Sequence, residues 1–163
     1  MGRHSISPRW VAMERNIHTL CLRVLRTDQK WDGIIAVTRG GLIPAGIIAQ
    51  QLKILFVDTI CISSYQGKKQ LGEPTLYKRT HPITTRTKGE GYLVVDDICD
   101  TGQTFIKVKE TFPYAHYAAV FCKPLGKQHC DFYGAYIPQD CWVTFPWERD
   151  GAGVDGAETR TRT

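Results

Sequence analysis

Apolar residues recur at spacings of three and four through Trp10, Met13, Ile17, Leu20, Val24 and Leu25. That period predicts an amphipathic helix over 8–26, with Pro8 well placed near its first turn. Gly33–Thr38 (GIIAVT) is a short apolar, β-branched run and predicts a buried strand. Thr38-Arg39-Gly40-Gly41 breaks it, and Leu42–Leu52 predicts a second helix. Ile54–Ile62 (ILFVDTICI) predicts a second strand. From Ser63 to Gly91 the chain turns polar, with Gly67, Gly72, Pro74, Pro82, Gly89 and Gly91 and little period. This predicts a long loop, of the kind that serves as a lid or is partly disordered. Tyr92–Val95 predicts a strand ending in acids, Thr101–Phe112 a helix stopped by Pro113, and Ala115–Cys122 a further strand. Asp131–Trp147 holds short β-like pieces rich in aromatics. The tail 149–163 is Gly-, Thr- and Ala-rich and is expected to be disordered.

This alternation of strands and helices predicts an α/β fold with a largely parallel central sheet flanked by helices. Ligands in such sheets bind beyond the carboxyl ends of the strands. Thr38-Arg39-Gly40-Gly41 and the acids after Val95 both lie at such ends, so both are expected to face one crevice.

Composition narrows the picture little. The chain has 163 residues, 42% of them apolar, enough for one domain with a proper core. No run reaches the length of a membrane span. Arg15, His18 and Arg23 interrupt what would have to be the apolar stretch of a signal peptide, and Ile6 stands where a myristoylation motif wants Ser or Thr. A soluble, cytoplasmic protein is the expectation. The six cysteines, Cys21, Cys61, Cys99, Cys122, Cys130 and Cys141, form no C-x-x-C pair and have mostly apolar neighbours. They read as buried free thiols rather than as a zinc or redox motif. The net charge of +5 fits a nucleic-acid surface or a site for a small polyanion. The basic residues form no block interleaved with aromatics, and no DNA-binding motif appears, so no nucleic-acid partner is expected.

The chemistry concentrates in Tyr92-Leu93-Val94-Val95-Asp96-Asp97-Ile98-Cys99-Asp100-Thr101-Gly102-Gln103-Thr104. A buried strand, two carboxylates and a glycine-bearing turn that opens a helix stand in register. The turn offers unpaired N–H groups at the positive end of a helix dipole. Thr101 and Thr104 add hydroxyls, and Gly102 removes a Cβ so that a phosphate can approach closely. Asp96 and Asp97 can accept from vicinal ribose hydroxyls or hold a Mg²⁺ that those hydroxyls share. A helix cap at Asp100-Thr101 or a solvated strand end at Asp96-Asp97 would explain either fragment alone. Their conjunction argues for a phosphate cradle.

This segment resembles the PRPP-binding signature of type I phosphoribosyltransferases (PRPP is 5-phosphoribosyl 1-pyrophosphate). The wider chain, from about Trp10 to Trp147, resembles the bacterial xanthine-guanine members. The matching stretches are Trp31–Leu42 (WDGIIAVTRGGL), Val57–Tyr65 (VDTICISSY), Phe121–Pro124 (FCKP) and Ile137–Trp147 (IPQDCWVTFPW). The resemblance implies a type I phosphoribosyltransferase fold over 1–148, with a small hood from about 125–148 and a flexible lid loop.

It further implies that Asp96 and Asp97 are the ribose and Mg²⁺ carboxylates, with Asp97 on the metal, and that Asp100 is the general base near purine N7. Thr101, Gly102, Gln103 and Thr104 would hold the 5′-phosphate. Arg39, Gly40 and Gly41 fall in the pyrophosphate loop, where the family typically has a cis non-proline peptide. Lys123 resembles the lysine that donates to the purine 6-oxo group, Trp142 the ring stacked on the base, and Val143 the residue whose backbone reads the 2-substituent. Lys68, Lys69, Lys78 and Arg79 are expected in the lid. Gln103 stands where this subgroup often has a second glycine, and the loop 66–76 differs from the usual hood.

The implied reaction is displacement at ribose C1 through an oxocarbenium-like state, with Mg²⁺ as cofactor. It consumes PRPP and an oxopurine and releases pyrophosphate. A homotetramer, with loose peripheral attachment to the inner membrane, is the implied assembly. The alternatives are a transferase that prefers hypoxanthine or another base, and a PRPP-sensing regulator on the same fold that binds nucleic acid.

Overall fold

The computed structural model describes residues 4–66 and 69–148. The expectations for Lys68 and for the tail 149–163 therefore lie outside the described residues. In chain order the elements are β1 (Ser5–Ile6), α1 (Trp10–Leu25), β2 (Gly33–Thr38), α2 (Leu42–Leu52), β3 (Val57–Gln66), β4 (Lys69–Lys78) and α3 (Pro82–Arg86). They continue with β5 (Tyr92–Cys99), α4 (Gln103–Lys109), β6 (His116–Cys122), a 3₁₀ turn (Lys127–His129), β7 (Phe132–Tyr136) and β8 (Trp142–Val143).

Six strands form one sheet in the order β4-β3-β2-β5-β6-β7. Every pairing is parallel except β3 with β4. The α/β architecture expected from the alternation is therefore observed. The chain moves from β2 outward to β3, then returns to β5 on the other side of β2. That reversal leaves a crevice beyond the carboxyl ends of β2 and β5, where open α/β sheets bind ligands.

The helices cover both faces. Met13, Ile17, Leu20 and Val24 of α1 are fully buried and, with Ala45 and Ile48 of α2, meet Ile34, Leu93, Val95 and Val120 on one face. Phe105 and Val108 of α4, with Phe112, pack on Val94, Tyr117 and Ala119 on the other. Each fully buried apolar side chain of this size contributes about 1.5–3 kcal/mol. Trp10 and Leu25 depart from the predicted stripe: at 53% and 60% exposure they flank the core-facing row rather than join it.

Three predicted segments change. The loop expected from Ser63 to Gly91 is an antiparallel hairpin followed by the short α3, because β3 continues past its parallel partner and folds back as β4. The strand expected to stop at Val95 runs through both acids to Cys99, paired with β6 as far as Cys99↔Cys122. The helix expected to open at Thr101 starts at Gln103, with Gly102 before it in a left-handed conformation (φ +84°).

The span 125–148 is split. Phe132–Tyr136 is the edge strand of the main sheet, whereas β8 forms a separate two-stranded sheet with β1, paired Ser5↔Trp142 and Ile6↔Val143. The N-terminus thus pins the segment that carries Trp142. The N–H of Trp142 donates to His4 O at 2.7 Å and that of Thr144 to Ile6 O at 2.9 Å.

Candidate active site

Two glycines make the crevice. A Cβ on Gly40 would lie 2.3 Å from Oδ2 of Asp97, and one on Gly41 2.3 Å from the carbonyl oxygen of Val95. The turn after β2 therefore lies directly against the end of β5, closer than any side chain allows. Arg39 is exposed on the same turn, one residue before Gly40. The Thr38–Arg39 peptide is cis.

Asp96 and Asp97 are 9% and 8% exposed, buried within the strand rather than solvated at its end. The N–H of Asp97 donates to Oδ1 of Asp96 at 2.9 Å. Burial, followed by the neighbouring Asp97 charge, raises the Asp96 carboxyl well above its ordinary range. Burial also raises Asp97, helped by the charge of Glu148. Among the described residues no ion pair neutralises either group. Buried adjacent carboxylates without a cation are costly, and they are the hard oxygen donors that Mg²⁺ prefers. The donor set therefore fits such an ion.

Beyond β5 the chain turns through Asp100–Gly102. Thr101 and Gln103 are exposed and Thr104 half-buried at the mouth. The first helical bond of α4 runs from Ile106 N–H to Gly102 O at 2.9 Å. The amides ahead of it have no intrahelical acceptor and are available to an anion. A Cβ on Gly102 would meet the ring of His129 at 2.3 Å. The missing Cβ therefore makes room for that ring rather than, as expected, for a phosphate; burial followed by the charge of Lys109 lowers the pKa of His129.

Lys123 was expected to need an acceptor, and it has one. It is 4% exposed, its N–H donates to Cys99 O at 3.0 Å, and Nζ donates to Oδ2 of Asp100 at 2.9 Å. The other oxygen of Asp100 accepts from Nε2 of Gln139 at 2.6 Å. Asp100 itself stays 42% exposed, open to the crevice. Trp142 is 54% exposed, while its neighbour Val143 is buried.

The sequence-derived residues on β2, β5, β6 and their following turns thus converge on one crevice. The lid basics are less uniform. The β3–β4 pairing extends to Gln66↔Lys69, and β3 outruns the last β2 pairing, Thr38↔Cys61, by Ile62–Gln66. At about 3.3 Å per residue the hairpin projects roughly 16 Å past the end of β2. Lys69 lies at that far end of β4. Lys78 lies at the other end, where its Nζ donates to Thr59 O and Oγ1, both at 2.8 Å. Arg79 is exposed just after β4.

Gln139, His129 and Glu148 have no signature in the sequence. Single polar residues in turns carry no periodic signal; their roles come from contacts with residues far away along the chain. The thiols Cys99, Cys122 and Cys130 lie within 4.8 Å of one another and are all buried. Hydrogen bonding to Cys130 and burial push the Cys122 thiol up, so it packs as a protonated group. Of the six cysteines, Cys61 alone is only partly buried.

A phosphoribosyl transferase domain model matches residues 9–120. The xanthine-guanine phosphoribosyltransferase of Chromohalobacter salexigens is 39% identical over 154 residues, which span 94% of this chain and 90% of that protein. A purine phosphoribosyltransferase from Pyrococcus horikoshii superposes with a TM-score of 0.72 at 26% identity, over 90% of this chain and 95% of that one. A Helicobacter pylori xanthine-guanine-hypoxanthine phosphoribosyltransferase shares the fold at 21% identity, with a TM-score of 0.66 over 90% and 95% of the two chains. With its domain model laid over the same strands that build the crevice, and a curated relative aligned along nearly its whole length, the chain belongs to the phosphoribosyltransferase family.

Proposed function

We propose that this chain is a purine-salvage enzyme that moves the 5-phosphoribosyl group of PRPP to guanine or xanthine, and more weakly to hypoxanthine, releasing pyrophosphate. The observation that carries the reading is the Asp100–Lys123 pair, 2.9 Å apart at the mouth of the phosphate turn. A donor and an acceptor side by side match the O6 and N7 edge of an oxopurine, which supports the reading.

The amides and hydroxyls of Thr101–Thr104 hold the 5′-phosphate, and Asp96 and Asp97 hold the ribose hydroxyls. Asp97, with Asp96 beside it, would also hold Mg²⁺, which when bound supplies positive charge against the pyrophosphate. Arg39 and the backbone of Gly40 and Gly41 grip the pyrophosphate as the C1–O bond breaks. Asp100 takes the proton, or faces the positive charge, that develops on the base. Lys123 donates to the 6-oxo group, Trp142 stacks on the ring, and the backbone at Val143 reads the 2-substituent. The hairpin of β3 and β4 is the lid. Its closure keeps water from the oxocarbenium-like centre.

A homotetramer is the assembly this reading carries. Val11, Leu22 and Leu25 on the outer side of α1 offer apolar surface for it. No described helix is long and apolar enough to cross a membrane.

The test is pyrophosphate release from PRPP with guanine, xanthine and hypoxanthine in competition. Release is expected only when a purine is present, to rank guanine and xanthine above hypoxanthine, and to stop when divalent cations are chelated. Salt-sensitive RNA or DNA binding without turnover would instead identify a regulator built on this fold.

A further inference from the structure

Gln139 lies between β7 and β8, yet its amide closes on Asp100. Nε2 donates to Asp100 Oδ1 at 2.6 Å, and Oε1 accepts from the N–H of Leu125 at 3.0 Å. The chemistry of the partners fixes which way the amide faces. A backbone N–H can only donate, so it must meet Oε1, which turns Nε2 toward Asp100. Lys123 Nζ, also only a donor, occupies Oδ2. Both oxygens of the carboxylate are thus held by donors that arrive from separate segments of the chain.

The two holds differ in permanence. Lys123 has a long side chain, and in the proposed reaction its ammonium is claimed by the 6-oxo group of the incoming base. Gln139 is anchored at its other end to the main chain at Leu125, in the turn that follows Lys123. It has no partner to exchange. It also sits three residues before Trp142, in the stretch leading into β8, so one segment carries both the ring that stacks on the base and the amide that aims the carboxylate.

We infer that Gln139 is a positioning residue for the transfer. It fixes the plane of the Asp100 carboxylate, keeps it aimed when Lys123 turns to the purine, and ties the base-stacking segment in register with the general base. This rests on the reading of Asp100 and Lys123 given above. Misaiming a reacting group by about 1 Å costs up to ~100-fold in rate, far more than a lost surface hydrogen bond would suggest.

Two substitutions separate aim from architecture. Gln139→Met keeps the length and removes both hydrogen bonds. Gln139→Glu keeps the acceptor for Leu125 but sets a carboxylate against Asp100. Both are expected to lower kcat by about 10- to 100-fold while KM for PRPP stays within about twofold, with the Glu variant at least as slow. In the Asp100→Ala background Gln139→Met is expected to lower kcat no further, because no carboxylate is left to aim.

The melting temperatures of the four proteins in this cycle test the contact without any turnover. A smaller loss from Gln139→Met in the Asp100→Ala background than in wild type is expected; equal losses would overturn the contact and with it the inference. Unchanged kcat in a folded Gln139→Met protein would overturn the positioning role. If the unmutated chain released no pyrophosphate, the proposed reaction would fail and take the positioning role with it. Coupled melting temperatures would then still show that the contact exists, which separates the two failures.

Discussion

Asp100→Ala is expected to lower kcat by about 10²–10⁴-fold, the range that a positioned acid or base contributes. KM for PRPP should move little. The carboxylate faces the crevice at 42% side-chain exposure, and both of its oxygens are held by donors, Lys123 just after β6 and Gln139 in the segment before β8. The PRPP phosphates are assigned to the turn beyond it and to the Arg39 loop, so the loss should fall on the chemical step rather than on substrate capture. The substitution also leaves Lys123, 4% exposed, without its carboxylate. Stranding a charge that is fully buried costs about 3–5 kcal/mol; here the partner is partly solvated, so a smaller fall in melting temperature is expected. Asp100→Asn keeps the shape and an acceptor for Lys123 and serves as the control for folding. A folded Asp100→Asn protein with undiminished turnover would remove Asp100 from the chemistry.

The second large effect is expected at Gly40. A methyl there would have to occupy space 2.3 Å from Oδ2 and 2.5 Å from Cγ of Asp97. Asp97 is buried in β5 and Gly41 is itself packed onto the carbonyls of Val95 and Val37, so neither side of that approach gives without a shift. Gly40→Ala must therefore push the Arg39 loop away from Asp97 or turn the carboxylate out of place. Overpacking of this kind costs about 1–3 kcal/mol of stability. The larger consequence falls on PRPP, whose pyrophosphate and ribose are assigned to the two elements being separated. A loss in kcat/KM for PRPP of roughly 100-fold is expected, measured by steady-state kinetics on protein whose melting curve shows it folded. A Gly46→Ala substitution in α2, where an added Cβ meets nothing within 4 Å, is the matched control. Equal kinetics in the two variants would refute the assignment of the loop.

Much of this arrangement is readable from residue order, for reasons that differ element by element. The buried face of α1 carries a helical period and Gly33–Thr38 an unbroken apolar run, and both elements fold where the pattern places them. The crevice follows from where glycines and acids interrupt apolar runs. Asp96 and Asp97 misled in one respect: charged residues suggest that a strand has ended, whereas β5 carries them inside the sheet, where burial raises both carboxyls. The β3–β4 hairpin reads as a loop in the sequence because an edge ribbon that leaves the sheet need not alternate apolar and polar residues. The β1–β8 pairing had no signature, since two-residue strands from opposite ends of the chain show no period at all. Gln139 is silent for a related reason, as its bond to Asp100 joins positions 39 apart.

The cradle after β5 is the claim on which every assigned role depends, and a crystal of the chain with a purine nucleoside monophosphate tests it most directly. The 5′-phosphate is expected against the amides of Thr101–Thr104, with the ribose hydroxyls on Asp96 and Asp97 and the base between Trp142 and Lys123. A phosphate bound anywhere else, or carboxylates facing away from the ribose, would contradict it.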